Sequence, residues 1–458
     1  MIDTNLPLVE PDFREQLQFF PNPDGYNVKH RFTEKENKFI NTVTVNGKTY
    51  AYGNLVNVPG DETERKRLVK RYAKLSLYKA LSQLTGVKLP WGALTGVRPT
   101  KLAYSALEKT GEFREFFIDV MKVSEEKTRL VEEVLENQKG IYEKNPDNCD
   151  LFVFVPFCPS RCKYCSFITS AKDNSAELIG AYTNALIKEI EDSAKFIKKL
   201  RSIYIGGGTP VALPDGELER LLCAIDKINN GVEYTVEAGR ADVITAENLG
   251  ILKAHGVTRV CVNPQTLSDE TLKRIGRAHT VKDFYRAYEL AAKDFSVNVD
   301  LIAGLEGENF ETFKASVDGV ISLSPDNVTV HSLCVKRGSY LAEEEKKFNP
   351  ETEKMLDYAE NALRGRGYGA YYVYRQKYAS GNLENAGFSK PDKVCVYNVD
   401  AMEEISDCVA CGANGISKKV DFNAQKIRRY GSPKDVKTYL AKTDEIIKGK
   451  TAVFTEKC

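Results

Sequence analysis

The sequence predicts an α/β fold: an open, six-unit parallel β/α barrel, preceded by an N-terminal α+β domain and followed by a C-terminal α+β extension. The main observation is that short β-branched runs alternate with helical segments from residue 150 onward. Such alternation with short loops favours parallel strands joined by right-handed crossovers. Six units are too few for a closed eight-unit barrel. A partial barrel therefore fits the count, with a doubly wound sheet as the alternative.

Residues 1–145 have a different texture and predict a domain of their own, to which no motif assigns a role. Residues 27–52 alternate apolar and polar side chains around Asn46-Gly47, a dipeptide typical of hairpin turns. Residues 61–84 and 123–145 have helical periodicity and many charged side chains. We therefore expect a hairpin and long helices in a small α+β domain.

The barrel is predicted to occupy residues 150–335. Residues 336–458 are predicted to form a region that covers the substrate. Barrel strands are expected at residues 151–155, 202–205, 232–236, 258–262, 296–301 and 327–331, with helices at 176–200, 214–229 and 245–255 among them. Beyond the barrel we expect a helix at 351–366 and a Tyr-rich strand at 368–374.

Composition excludes several classes of protein. The 65 basic and 64 acidic residues leave a net charge of +1, which argues against general binding to nucleic acid or to an anionic membrane. The longest apolar run is far shorter than the roughly 20 residues of a membrane span. The N-terminus has acids and prolines where a signal peptide has a basic start and an apolar stretch. We expect a cytoplasmic protein, in which eleven cysteines do not form a disulfide framework.

Three cysteines follow the first predicted barrel strand directly. Cys158, Cys162 and Cys165 stand in PFCPSRCKYCSF with the spacing C-x3-C-x2-C. Thiolates are the ligands of iron–sulfur clusters, and three of them would leave one iron of a four-iron cluster open to an outside ligand. The alternatives are a structural zinc site that lacks its fourth ligand, or three unrelated cysteines. No histidine lies near, which disfavours zinc.

This spacing, with an aromatic residue (Tyr164) before the last cysteine, resembles the signature of radical S-adenosylmethionine (SAM) enzymes. The resemblance implies that the amino and carboxylate groups of SAM chelate the open iron. It also implies that reductive cleavage of SAM yields a 5′-deoxyadenosyl radical, which abstracts hydrogen from the substrate. Enzymes of this family use six-unit partial barrels, in agreement with the strand count.

Residues at successive strand ends resemble the SAM contacts of that family. The segment Gly206-Gly207-Gly208-Thr209-Pro210 is similar to the GGGTP segment that contacts the methionyl amino group. The same resemblance adds Tyr164, Glu237, Gln265, Arg277 and Asp300, with the arginine near the SAM carboxylate. Each of these polar residues alone could instead be a surface or helix-capping residue. Their positions at or near successive strand ends favour one shared site.

Further motifs resemble the subgroup around oxygen-independent coproporphyrinogen III oxidase, which also contains heme chaperones and anaerobic heme-degrading methyltransferases. The order GGGTP, Q…GRAHT and VDLIAGL is similar to that subgroup, as are ENAGFSKP, Cys395, Asn398 and residues 412–417. LTGVRPTKL and YRQKY…GNLEN resemble its Gram-positive coproporphyrinogen dehydrogenase branch, which has an extra N-terminal domain. One departure is Phe167, where the well-understood oxidases have a further cysteine and the heme chaperones do not.

The resemblance implies an enzyme that converts propionates of coproporphyrinogen III to vinyls, giving protoporphyrinogen IX in heme biosynthesis. A heme-binding chaperone and a tetrapyrrole methyltransferase or ring-opening enzyme are the alternatives. The implied cofactors are SAM and one 4Fe–4S cluster on three cysteines. The implied partners are a porphyrinogen or heme-type molecule and a low-potential electron donor such as flavodoxin or ferredoxin.

Other residues are weaker candidates. An auxiliary cluster could use Cys395, Cys408 and Cys411, although SDCVACGANG is more simply a helix that packs into a glycine turn with buried thiols. His279 could shape the ligand pocket and His331 could face the substrate. Substrate carboxylates could contact basic residues, which could equally form a solvated surface: Lys336, Arg337, Arg375 and Lys377.

Overall fold

The structure is a computed structural model that describes residues 1–57, 61–94, 98–165, 175–335, 339–342, 349–376 and 383–455. The chain forms two compact units, residues 1–132 with 375–383, and residues 133–374 with 384–458. The division into three domains that the sequence suggests stays a prediction.

The first unit is an α+β unit, and its described residues include a four-stranded sheet in the order β1-β2-β3-β4. Asn46 and Gly47 have φ angles of 48° and 85°, the left-handed conformation that a tight turn between β3 and β4 requires. The elements are β1 (Ile2–Thr4), α1 (Glu10–Leu17), β2 (Val28–Lys35), β3 (Lys38–Val45), β4 (Lys48–Leu55), α2 (Glu62–Thr85) and α3 (Pro99–Thr110), followed by α4 (Glu125–Asn137), which continues into the second unit.

Six parallel strands form the centre of the second unit. They lie in sequence order, each paired with the next. They are β5 (Asn148–Val155), β6 (Lys199–Gly207), β7 (Glu233–Gly239), β8 (Arg259–Val262), β9 (Ser296–Ala303) and β10 (Asn327–Ser332), and the helices between them are α5 (Ala176–Ser193), α6 (Asp215–Asp226), α7 (Ala246–Ala254), α8 (Asp269–Arg274), α9 (Val281–Ala291) and α10 (Phe310–Leu323). Because the strand order never reverses, the predicted partial barrel is confirmed and the doubly wound alternative is wrong.

The C-terminal segments extend this sheet on both sides of the barrel strands. Over the described residues the sheet has the order β11-β12-β10-β9-β8-β7-β6-β5-β13-β14-β15, so its edges stay open. Strand β12 is antiparallel to β10, whereas β13 is parallel to β5. The remaining elements are α11 (Thr352–Arg364), β11 (Gly369–Arg375), β12 (Glu384–Ser389), α12 (Val396–Glu403), β13 (Asp407–Cys411), β14 (Ile416–Asp421), β15 (Lys426–Gly431), α13 (Val436–Ala441) and α14 (Thr443–Thr455).

The helix expected for SDCVACGANG is wrong, because residues 407–411 form β13. Asp407 pairs with Cys149 and Cys411 with Val153, so β13 covers the edge of β5. An unpaired β5 would leave a row of backbone N–H and C=O groups without partners. Pairing across the sheet therefore overrides the local pattern.

A buried ion pair joins helix α14 to helix α5. Lys450 Nζ lies 2.7 Å from Glu189 Oε1, and both side chains are completely buried. Glu189 Oε2 accepts hydrogen bonds from the Gly412 N–H (2.7 Å) and from the Tyr439 hydroxyl (2.6 Å). Since Gly412 directly follows β13, this network supports the strand that pairs with β5.

Among the described residues, no helix combines the length and the apolar composition that crossing a membrane requires.

We expect Lys450→Met to lower the free energy of unfolding by ~3–5 kcal/mol, because it leaves Glu189 as an uncompensated buried charge. Urea denaturation measures the loss. Lys188→Met is the matched control: Lys188 pairs at 2.5 Å with Asp444 between the same two helices, but these side chains are 55% and 75% exposed. The control should lower the free energy of unfolding far less, because solvent screens this exposed pair. Equal losses in the two variants would contradict the energetic role of burial.

Candidate active site

The loop that carries Cys158, Cys162 and Cys165, here called the cysteine loop, follows β5. It is held by residues 206–210 at the end of β6, here called the glycine segment. The Gly208 N–H donates to the Val155 carbonyl (2.7 Å), and the Thr209 N–H donates to the Phe157 carbonyl (2.8 Å). The Thr209 hydroxyl lies 3.2 Å from Cys158 Sγ. Two neighbouring strands thus fix the start of the loop.

The three cysteines lie close together on this loop. The Cys165 N–H donates to the Cys162 carbonyl at 3.1 Å, which folds the loop back on itself. Burial raises the pKa of the Cys158 thiol to about 11, and the neighbouring Cys165 and Cys162 sulfurs act in the same direction. A bound metal would reverse this effect, since metal ligation favours the thiolate.

Three consecutive glycines lie where a side chain would be strained or would displace a neighbour. A Cβ on Gly206 would lie 2.9 Å from Glu237 Oε2, and one on Gly208 would lie 2.4 Å from the Phe157 carbonyl oxygen. Gly207 has a φ of 106°, which L side chains rarely adopt. The segment that sequence motifs single out is therefore pressed against both the cysteine loop and Glu237.

Glu237 lies at the end of β7, with both carboxylate oxygens engaged. Oε1 accepts from the Tyr204 hydroxyl at 2.7 Å, and Oε2 accepts from the Gly207 N–H at 3.3 Å. Burial raises the pKa of Glu237 to about 7, and the nearby Asp300 carboxylate acts in the same direction. Glu237 therefore exchanges a proton near neutral pH.

Gln265, three residues after β8, lies beside Asp300 of β9. The Gln265 N–H donates to the Asp300 carbonyl (3.0 Å), and the Ile302 N–H donates to the Gln265 carbonyl (2.9 Å). Gln265 has a φ of 71°, a conformation that costs a non-glycine residue about 1–2 kcal/mol. In the described part of the chain its buried Oε1 has no hydrogen-bond partner. Strain and an orphaned acceptor are typical of a ligand site.

Arg277 is buried and holds the aromatic residue of the cysteine motif. Its Nη1 donates to the Tyr164 hydroxyl at 2.9 Å, and its Nη2 donates to the Asn263 and Gly239 carbonyls at 2.7 and 3.4 Å. Its Nε is buried with no hydrogen-bond partner among the described residues. The contact of Arg277 with a SAM carboxylate stays a prediction.

A polar cavity of about 110 Å³ lies inside the barrel. His331 lines it, with Nε2 at 3.7 Å from Asp300 Oδ2. The Thr235 hydroxyl, also on the wall, is buried without a partner in the described ranges. The complete lining is Tyr204, Thr235, Glu237, Arg259, Cys261, Asn298, Asp300, Thr329, His331, Tyr371, Tyr372, Cys395 and Asn398. Glu237 and Asp300 thus connect the strand-end site with the barrel interior.

Of the other candidate residues, Arg375 lies apart from this site, His279 neighbours Arg277, and the rest lie outside the described residues. Arg375 is 3% exposed, lies over the Trp91 ring and donates to the Leu94 carbonyl, so it has a structural role in the first unit. Burial lowers the pKa of His279 to about 4, with help from the neighbouring Arg277 cation. Outside the described residues lie Lys336, Arg337, Lys377 and Phe167.

The thiols of Cys395, Cys408 and Cys411 have different surroundings. Cys395 Sγ lies 3.2 Å from Glu233 Oε1, and Cys411 Sγ lies 3.3 Å from Lys450 Nζ. Cys408 pairs in register with Asp150 on β5. An auxiliary cluster at these positions therefore gains no support from their contacts.

Two arrangements were not anticipated from the sequence. Asn298 Nδ2 donates to Asp300 Oδ1 at 2.7 Å, two residues along the same strand. Arg240, directly after β7, reaches the cysteine loop, with Nη1 at 2.9 Å from Ser160 Oγ and 4.0 Å from Cys162 Sγ. Strand periodicity could have indicated Asn298, because i and i+2 share a face. No pattern in the local sequence EAGRAD predicts that Arg240 contacts the cysteine loop.

The raised pKa of Glu237 predicts a pH-dependent stability. Between pH 4.5 and about 7 the unfolded chain loses this proton and the folded chain keeps it. The free energy of unfolding should therefore fall as pH rises through this range, by up to ~3 kcal/mol, and stay level above it. Glu237→Gln should remove this part of the pH dependence in urea unfolding. Glu219→Gln, at an exposed carboxylate, should leave it unchanged; equal profiles for wild type and Glu237→Gln would refute the assignment.

Comparison with known proteins agrees with this geometry. The sequence matches the Radical SAM superfamily over residues 152–319. It is 34% identical over 417 residues to the oxygen-independent coproporphyrinogen-III oxidase-like protein HemZ of Bacillus subtilis (strain 168). This alignment covers 86% of this chain and 83% of that protein. It is 33% identical over 233 residues to the heme chaperone HemW of Lactococcus lactis subsp. lactis (strain IL1403). That alignment covers 48% of this chain and 60% of that protein.

The structure is similar to that of coproporphyrinogen III oxidase (HemN) from Escherichia coli, with a TM-score of 0.53 and 20% identity over 70% of this chain and 72% of that one. This likeness concerns the fold. Family membership follows from the sequence matches and agrees with the cysteine loop and the strand-end residues. The prediction of a radical SAM oxidoreductase is confirmed: the chain belongs to the radical SAM superfamily, in the family of oxygen-independent coproporphyrinogen-III oxidase-like proteins.

Proposed function

We propose that this protein catalyses the oxygen-independent oxidative decarboxylation of coproporphyrinogen III, converting two propionates to vinyls and giving protoporphyrinogen IX in heme biosynthesis. The observation that carries the proposal is the assembly of one site from consecutive strand ends. The cysteine loop, the glycine segment, Glu237, Gln265 and Asp300 meet there, in a chain similar over 86% of its length to an oxidase-like relative.

A 4Fe–4S cluster on Cys158, Cys162 and Cys165, with SAM beside it, fits the residues present. Three neighbouring thiols on one loop would supply three ligands and would leave one iron open. The glycines let a ligand approach the backbone, and Gln265 Oε1 is a buried acceptor that a ligand hydroxyl or amine would satisfy. When bound, cluster and SAM supply the 5′-deoxyadenosyl radical that removes a hydrogen atom from the substrate.

The protein's own groups would bind and orient SAM. Glu237 and Asp300 present carboxylate oxygens that accept hydrogen bonds from the hydroxyls of a ribose. The Arg277 Nε–H, buried without a partner among the described residues, is a donor that suits a carboxylate. The Tyr164 ring packs against an apolar cluster that includes Leu272 and Ile275, which fixes the position of the ring beside the cysteines.

The substrate reaction balances as two equal rounds. In each, the β-carbon of a propionate would lose one hydrogen atom, CO2 would leave, and one electron would pass to an acceptor while the vinyl double bond forms. A low-potential donor such as flavodoxin or ferredoxin would reduce the cluster once per round.

A second candidate function is heme binding and delivery by the same scaffold. The observation that favours it is Phe167, which replaces the cysteine that the resembled oxidases have two residues after their third cluster cysteine. The 33% identity to a heme chaperone over 233 residues supports the same alternative.

We expect Cys162→Ala to abolish cluster binding, because two thiolates do not hold a four-iron cluster with an open site. After anaerobic reconstitution the variant should lack the visible absorbance of a cluster and should not cleave SAM. Iron and sulfide analysis of the wild type should give ~4 irons per chain, as for one cluster. Cys223→Ala, which removes an exposed thiol on α6, should match the wild type. SAM cleavage by Cys162→Ala, or ~8 irons in the wild type, would contradict the proposed single cluster.

An anaerobic assay with dithionite, SAM and coproporphyrinogen III tests the reaction. We expect 5′-deoxyadenosine, and a product that has lost two CO2 and four hydrogen atoms, by mass analysis. The Cys162→Ala protein serves as the inactive control. Stable heme binding with neither 5′-deoxyadenosine nor a vinyl product would reject the oxidase in favour of the chaperone.

A further inference from the structure

We infer that Arg240 raises the reduction potential of the cluster on the cysteine loop, and that Asp242 positions Arg240 for this role. The inference rests on the proposed cluster at Cys158, Cys162 and Cys165. It adds a residue outside the motifs that define the site. It also gives that residue a measurable effect on the cluster itself.

The Arg240 guanidinium is buried against the loop. The residue is 3% exposed and directly follows β7. Its Nη1 donates to Ser160 Oγ at 2.9 Å and lies 4.0 Å from Cys162 Sγ. Because a guanidinium does not deprotonate in proteins, this contact places a permanent positive charge next to a ligand sulfur.

Asp242 fixes the orientation of that guanidinium. Arg240 Nε donates to Asp242 Oδ1 at 2.9 Å, and Nη2 donates to Oδ2 at 2.8 Å. This bidentate pair occupies one edge of the planar group and leaves Nη1 for the loop. The turn that carries the arginine is also defined, since the Arg240 N–H donates to the Ala238 carbonyl at 2.7 Å and Gly239 has a φ of 65°.

The other guanidinium at the loop has a different geometry. Arg277 donates to the Tyr164 hydroxyl and to two backbone carbonyls. Arg277 therefore fixes the position of Tyr164, whereas Arg240 lies next to the sulfur of Cys162. The two arginines are not equivalent in what they do to a cluster.

Charge and hydrogen bonding set the sign of the expected effect. A cluster on three thiolates becomes more negative when it takes up an electron, so a fixed positive charge stabilises the reduced form more than the oxidised form. Hydrogen bonds to the sulfurs and the local net charge are recognised determinants of cluster potentials. Burial strengthens the interaction, because little water screens it. Arg240 therefore favours reduction, the step that SAM cleavage requires.

The test is a potentiometric titration of the reconstituted cluster, followed by electron paramagnetic resonance, in wild type and Arg240→Gln. We expect Arg240→Gln to weaken the one-electron reduction equilibrium at least tenfold, which moves the midpoint potential ~59 mV to the negative side. Arg240→Lys keeps the positive charge but cannot contact Ser160, Cys162 and Asp242 together. Its shift in midpoint potential should therefore be smaller than that of Arg240→Gln. Iron content should match the wild type.

Two control variants separate charge from packing. Arg201→Gln breaks a similar bidentate pair, in which Arg201 donates to Asp400 at 2.7 and 3.1 Å, near the opposite end of β6 from the glycine segment. Ser160→Ala removes the hydroxyl that accepts from Arg240 and leaves the charge in place. Both should change the equilibrium less than threefold.

The outcomes are distinguishable. A wild-type protein that takes up no cluster overturns this inference together with the proposed function. A cluster with the same potential in wild type and Arg240→Gln overturns the inference alone, as does an equal shift in Arg201→Gln. Should Arg240→Gln lose its iron, Arg240→Lys decides: an iron-loaded variant with a more negative potential supports the inference, and an unchanged potential refutes it.

Discussion

The close approach of the β6 glycine segment to the cysteine loop is the contact on which the rest of the site depends. Gly208 and Thr209 donate backbone hydrogen bonds into the start of the loop. This geometry leaves no room for a Cβ at Gly208, and a Cβ at Gly206 would displace the Glu237 carboxylate. With those atoms absent, Glu237 reaches the Gly207 N–H from the neighbouring strand. Hydrogen bonds at the strand ends thereby join three consecutive strands, in addition to the backbone hydrogen bonds that pair the strands in the sheet.

Around this contact the site carries several buried polar groups, each partly satisfied. Glu237 has Tyr204 and the Gly207 N–H, while Arg277 has Tyr164 and two carbonyls. The remaining capacity, at Gln265 Oε1 and Arg277 Nε among the described residues, is what a polar ligand would use. Burying such groups costs stability, which the burial of apolar side chains in the second unit offsets.

The sequence alone predicted the barrel and most of its strand-end residues, because both depend on local patterns. Alternation of strands and helices sets the order of the sheet, and GGGTP stands where β6 meets the loop. It did not predict β13, since Val409 and its neighbours become a strand only by pairing with β5, more than 250 residues earlier. Nor did it predict Arg240, whose partners Ser160 and Cys162 come from another strand end. Long-range pairing and side-chain direction are tertiary properties.

The parallel pairing of β13 with β5 has a consequence for the order in which the protein can mature. Until residues 407–411 have been synthesised, β5 remains an exposed edge strand. The buried Lys450–Glu189 pair behind it forms later still on the ribosome. Since the cysteine loop continues from β5, the strand that carries the loop gains its second neighbour only after about 250 further residues have been synthesised.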